Sequence, residues 1–492
     1  MMSSKNTSSL DLVEHSIDRI KTIDRSGPTL RSVLEVNPDA RRLAKQLDAD
    51  RKRGDALGPL HGEPVLVKDN IATVDRMQTT AGSLALIGAK APRDAHVVHR
   101  LRSAGALILG KANLSEWSNF RGANSSSGWS ARGGQCRNAH VLDRTPSGSS
   151  SGSAAAVAAG LVRFAVGTET DGSIVSPASC NGIVGFKPTL GAVSRDGIIP
   201  IAASQDTAGP MTRSVEDSAW LLAGMVGADV HDAATKGQKI AAADLIALAK
   251  TLQAGKRSSA LKGLRIGVAR NLAGYHRGVD ALFEQALKDL ARAGAVLVEA
   301  SIPNADKLGP TEVEVLLYEL KHGMAAYLRE FAANLKFRSL DDLIAFNART
   351  PEELAVFGQE RFEKAAAKGA LTDAAYRKAL ATNRRLSRTQ GIDAALKQHD
   401  VALFVAPTTS PAALIDQVNG HRPSGSASSP AAVAGYPHLT VPMGAVNHLP
   451  VGLSFFGPAW SDLLVLQAGA AYEQRTGHLI KPRFLKTLPI KA

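Results

Sequence analysis

The chain has 492 residues, 44% hydrophobic and 21% charged, the balance of a soluble globular protein long enough to bury a large core. Its formal charge is +13, but Lys and Arg are scattered among Asp and Glu, in short groups such as Arg41-Arg42 and Arg384-Arg385 and never in a long basic block; a solvated basic surface is expected, with no specific nucleic-acid partner. Two cysteines, Cys136 and Cys180, are too few for a disulfide framework or a metal cluster of their own.

The opening twenty residues are polar and then amphipathic, with no secretory leader. Cytoplasmic is the default compartment, and a periplasmic origin with a trimmed leader is the alternative. Leu10, Val13, Ile17 and Ile20 recur at helical spacing behind Ser9 as a cap. Asn37-Pro38 restarts a second helix through Ala40, Leu43 and Leu47, so residues 1–60 form an N-terminal helical segment. The apolar run 64–68 is a buried strand, 95–101 a helix and 106–109 a strand closed by Gly110. Residues 153–159 read as helix, 164–166 as strand and 215–225 as helix. Strands at 264–268 and 295–298 bracket a helix over 279–291. Residues 310–396 are helix after helix, expected to border a pocket; strands return at 403–405 and 451–455, and 424–429 is a loop. This alternation predicts an α/β fold with a mostly parallel or mixed sheet covered by helices on both faces. Without internal repeats or a long linker, one domain over residues 5–485 is expected. The longest Ala/Val-rich stretch, 153–166, is too short to span a membrane.

Chemistry concentrates in Pro146-Ser147-Gly148-Ser149-Ser150-Ser151-Gly152-Ser153-Ala154 and in Gly167-Thr168-Glu169-Thr170-Asp171-Gly172-Ser173-Ile174. A flexible Ser/Gly linker fits only the first of these, which is clamped between packed elements. The G-x-S-x-G elbow of an α/β-hydrolase would make Ser150 the nucleophile, but the residues before it, Leu142-Asp143-Arg144-Thr145-Pro146, make a poor strand. No histidine stands in a setting that marks it as a base, and none has metal-ligand spacing, so no metal or other cofactor is expected.

A third reading joins more of the chain. Val65-Leu66-Val67-Lys68-Asp69, Gly148-Ser149-Ser150, Asp171-Gly172-Ser173-Ile174, Gly182-Ile183-Val184-Gly185-Phe186-Lys187-Pro188-Thr189 and Gly209-Pro210-Met211-Thr212 follow one another in order. In these pieces the chain resembles the amidase signature family, and in Thr168-Glu169-Thr170-Asp171-Gly172-Ser173-Ile174-Val175 its peptide amidase branch. The resemblance implies the twisted mixed sheet of that family and a triad in which Ser173 attacks, Ser149 relays the proton and Lys68 is the base. It also implies a cis peptide bond at Gly148–Ser149 and an oxyanion hole made by backbone N–H groups of Thr170, Asp171, Gly172 and Ser173. Ser150 and Tyr318 are expected to contact substrate.

A lysine base must be neutral, and burial on an apolar strand lowers its pKa by penalising the ammonium form. Strand alternation sends Asp69 to the opposite face; the alternative is a lysine emerging at the strand end to pair with Asp69. Two departures from the family pattern stand out: Asp171 and Ser151 each occupy a position where many members have Gly. Val175 stands where members acting on carboxylate-bearing substrates tend to have Arg. The expected reaction is hydrolysis of linear amides, favouring the C-terminal amides of peptides with release of ammonia. An aryl-acylamidase or carbamate hydrolase is the alternative, and a further one is a component of an amidotransferase.

Overall fold

Short runs of Val, Ile, Leu and Phe become most of the strands in the computed structural model, which describes residues 7–421 and 423–489. Residues 5 and 6 of the expected domain lie outside the described residues. In chain order the strands are β1 (Val33–Val36), β2 (Pro64–Lys68), β3 (Leu107–Ala112), β4 (Trp129–Ser130), β5 (Gly134–Gln135), β6 (Phe164–Glu169) and β7 (Val184–Lys187), followed by β8 (Thr207–Thr212), β9 (Arg265–Ala269), β10 (Val296–Ala300), β11 (Leu403–Pro407), β12 (His438–Val446) and β13 (Leu449–Phe456). All but the β4–β5 hairpin join one 11-stranded sheet in the order β1-β3-β2-β6-β8-β7-β12-β13-β11-β9-β10. Pairing is parallel within β3-β2-β6 and within β11-β9-β10, and antiparallel elsewhere. The sheet is mixed, as the alternation predicts.

Both faces of this sheet are buried, and strand alternation sorts the side chains between them. Val65 and Val67 of β2 join Ile108, Phe164 and Val166 in one core, while Leu66 joins Leu107, Leu109 and Ala165 in another. Helices Val215–Met225, Arg277–Arg292 and Asp462–Thr476 contribute to the first core; Ser9–Arg19 and Ser151–Ala158 contribute to the second. At the far end Leu403 and Val405 face the first core, and Phe404 and Ala406 a third.

Several expectations need correcting. The 1–60 segment is not wholly helical: β1 lies between its two helices and pairs antiparallel with β3, Val33 opposite Ala112. Only four residues long and carrying Glu35, it has too little pattern to announce itself. The first helix is capped by Ser8, whose hydroxyl and Asp11 form a reciprocal capping box; the Ser9 N–H instead reaches the Asp48 carboxylate at 2.7 Å. The 424–429 loop gives way to helix Ser428–Ala434. In the 310–396 region the helical reading holds, with Gly309–Phe331 the longest element.

Candidate active site

The site forms where β2 and β6 lie side by side. Val67 pairs with Val166, so the next residue, Lys68, leaves the carboxyl end of β2 level with the end of β6. Its side chain is wholly buried. Nζ stands 2.7 Å from Ser149 Oγ, 2.8 Å from Thr168 Oγ1 and 3.3 Å from the Thr168 carbonyl. Burial pushes the lysine down to about 7, against smaller upward pulls from Asp206 and Glu169. A neutral amine has two N–H groups, which Thr168 accommodates, and one lone pair left to accept the Ser149 hydroxyl proton. Asp69 faces away, as alternation predicts. Its carboxylate accepts the N–H groups of Thr80 (3.2 Å) and Gly82 (3.1 Å) and pairs with Arg132 at 3.2 Å.

The relay loop is shaped by close backbone approach. The Gly148–Ser149 bond is cis, as the resemblance implies. A Cβ on Gly148 would sit 2.2 Å from Ser115 Oγ; one on Gly152 would sit 2.2 Å from the Ser32 carbonyl and 2.5 Å from that of Asn113. The Ser149 carbonyl accepts the Ser115 N–H at 3.0 Å. Ser151, one of the two departures from Gly, donates its hydroxyl to the Ser147 carbonyl at 2.7 Å.

The Ser150 side chain is fully buried. Its hydroxyl donates to the Thr168 carbonyl at 3.0 Å and accepts the Thr168 N–H at 3.2 Å, and its own N–H donates to the Ser173 carbonyl at 3.1 Å. It clamps loop, strand and turn together, with its hydroxyl committed to the Thr168 backbone. Tyr318 lies on the helix Gly309–Phe331. It packs against Tyr376 with ring centroids 5.5 Å apart, and its hydroxyl donates to Asp373 at 3.4 Å. At about 100° per residue, Tyr327 on the same helix faces the other way and lines a cavity.

The turn after β6 is tied at its ends. The Glu169 carboxylate accepts the N–H groups of Ile174 (2.8 Å) and Val175 (3.1 Å). Gly172 has φ of +74°, which favours glycine. Among the described residues, the N–H groups of Asp171, Gly172 and Ser173 have no protein acceptor, so the turn presents a row of donors. Ser173 is buried, with 8% of its surface exposed. Thr170 donates its hydroxyl to Asp206 at 2.5 Å, and Gln205 links the Thr170 carbonyl (3.2 Å) to Glu312 (2.8 Å). Asp171 accepts the Ser429 hydroxyl at 2.6 Å. Burial raises both the Asp171 and Glu312 carboxyls, and the Asp171 charge adds to the rise that takes Glu312 to about 8.

Two cavities flank this assembly. One, of about 330 Å³, is lined by Gly148, Asp171, Gly172, Ser176, Arg361 and His421 among others. The other, of about 300 Å³, touches Asn70, Thr168, Thr170, Asp206, Tyr327 and Phe331. The sequence did not single out Asn70 or Arg361, and named Thr168 only as part of a motif. Thr168 had a signal, lying in the motif that leads to Ser173; Arg361 had none.

Known proteins resemble this chain over nearly its whole length. The family model described as Amidase matches residues 11–466. A probable amidase of Arabidopsis thaliana is 40% identical over 491 residues, covering 98% of this chain and 89% of that protein. A glutamyl-tRNA(Gln) amidotransferase subunit from Symbiobacterium thermophilum is 36% identical over 498 residues, covering 96% and 94%. Among solved structures, the native peptide amidase of Stenotrophomonas maltophilia superposes with a TM-score of 0.92 at 49% identity, covering 98% of this chain and 96% of that one.

Proposed function

The chain belongs to the amidase family, and from that premise we propose that it hydrolyses the C-terminal amides of peptides, with Ser173 as nucleophile, Ser149 as proton relay and Lys68 as base. One observation carries the reading: a fully buried lysine, lowered to about 7, holds Nζ 2.7 Å from Ser149 Oγ. In the proposed first step Ser173 Oγ bonds to the amide carbon while its proton passes to Ser149 Oγ and the Ser149 proton to Lys68 Nζ. The oxyanion is held by the N–H groups of the turn, from Thr170 to Ser173, in a setting with little water. The relay then runs backwards, protonating the departing nitrogen; the C–N bond breaks and ammonia leaves an acyl-Ser173. Water enters by the same proton path, frees the acid and restores the hydroxyl.

The peptide-amide preference is supported by the likeness to a peptide amidase and by Val175. Ammonia release from a series of peptide amides, compared with anilides and carbamates, tests it; turnover confined to anilides or carbamates would reject the substrate but keep the triad. Ser173→Ala and Lys68→Ala are each expected to lower kcat by a factor on the order of 10⁴ or more, and together by little more than either alone, because the residues act as a unit. A second reading, one component of an amidotransferase, is favoured by the 36% identity to such a protein. It predicts negligible turnover by the isolated chain.

A further inference from the structure

When ammonia is the leaving group, nearly the whole substrate lies on the acyl side of the scissile bond, and the residues that hold it must be sought there. The cavity of about 330 Å³ begins at Gly148 and Gly172, the residues preceding Ser149 and Ser173, and Arg361 forms part of its wall. The Arg361 guanidinium lies over the Phe120 ring, 4.7 Å from its centroid. Its backbone N–H is fixed to the Arg121 carbonyl at 3.0 Å. Arg121 is itself fully buried, its Nε 3.1 Å from the Glu116 carboxylate. Glu360, the adjacent carboxylate, turns aside to accept the Ala123 N–H at 2.9 Å. Glu312 and Glu360 favour the Arg361 charge through space, but among the described residues nothing accepts a hydrogen bond from its guanidinium or forms an ion pair with it. Other partly buried arginines show the usual pattern: Arg195 pairs with Asp232 and Arg132 with Asp69.

A half-buried guanidinium offers five N–H donors and ordinarily meets acceptors for them. One stacked on an aromatic ring, unpaired and facing a cavity beside the proposed reacting groups is prepared for an acceptor that arrives with the ligand. The rest of that wall is rich in hydroxyls, with Ser125, Ser127, Ser428 and Ser429, and suits a polar acyl chain. We propose that Arg361 is a substrate-positioning residue whose guanidinium takes an acceptor oxygen, either a backbone carbonyl or a side-chain carboxylate, on the acyl part of the substrate away from the scissile amide. The inference rests on the peptide-amide reading for the direction in which the substrate extends.

Binding to the Ser173→Ala protein, which needs no turnover, separates the two. N-acetyl-dipeptide amides with Glu, Gln or Lys as the first residue, and an N-acetyl-amino-acid amide lacking that residue, are titrated by calorimetry. Arg361→Met, which keeps an apolar stem over Phe120, is expected to weaken the dipeptide amides about 10- to 100-fold, the usual worth of a hydrogen bond to a charged group, and to erase their advantage over the shorter amide. Loss confined to the Glu peptide identifies a side-chain carboxylate; equal loss for Glu and Gln identifies a backbone carbonyl. Arg361→Lys, which keeps the charge without the planar fork, is expected to retain part of the affinity. Unchanged affinities in both variants, with unchanged thermal unfolding, would overturn the inference. Absent ammonia release from wild type would instead overturn the peptide-amide reading and leave the binding result to stand on its own.

Discussion

Lys68 sets the expected pH dependence. Its neutral form is the proposed base, so kcat/KM should rise with pH through about 7 and level off above it. Asp206 favours the charged form of Lys68; Asp206→Asn is therefore expected to move that rise to lower pH, read from the same profile. Stability follows the opposite logic. The folded-state value of about 7 lies below the ordinary 10.5, so between these pH values the unfolded chain binds the extra proton and stability rises with pH. Lys68→Met should abolish turnover yet raise the unfolding temperature, most below pH 7 and least near 10.5. At this scale much was legible in the sequence. Lys68 is buried, Asp69 points away and the cis bond stands at Gly148–Ser149. The surroundings of Ser150 and Tyr318 were not legible, because sequence specifies a residue's neighbours along the chain and not the acceptor its hydroxyl finds. The Ser150 hydroxyl found a strand backbone and the Tyr318 hydroxyl the carboxylate of Asp373.

Among the elements, the loop carrying Ser149 is held by close backbone approach. Gly152 lies against the carbonyls of Ser32 and Asn113, whereas a Cβ on Gly237 would meet nothing within 4 Å. Gly152→Ala is expected to cost at least about 1–3 kcal/mol in urea unfolding, and Gly237→Ala almost nothing. The N–H groups of Ile174 and Val175 reach the same Glu169 oxygen, and Glu169→Gln, which replaces that carboxylate acceptor with a neutral amide oxygen, should cost about 1–3 kcal/mol and reduce kcat by loosening the turn. Strands β2, β3, β6, β9, β10, β11 and β13 could be read from apolar runs. β7, β8 and β12 could not: the β8 sequence Thr-Ala-Gly-Pro-Met-Thr has weak strand propensity, and pairing with β6 and β7 on its two sides makes it a strand.

For the whole molecule, the sheet closes the distance between segments far apart in sequence, and among the described residues no helix is long and apolar enough to cross a membrane. Purified alone, the chain is expected to release ammonia from peptide amides at a rate unaffected by added transfer RNA; a requirement for RNA or for a partner protein would favour the amidotransferase reading. The contacts of Lys68 with Ser149 and Thr168 span 81 and 100 residues of chain. Until β6 docks beside β2, the amine is bathed in water and carries its proton at physiological pH. A nascent or partly denatured polypeptide therefore contains every reactive group but lacks the basicity to use them. On the proposed mechanism, completion of the fold is what arms Ser173, and immature copies are expected to pose little hydrolytic hazard to their surroundings.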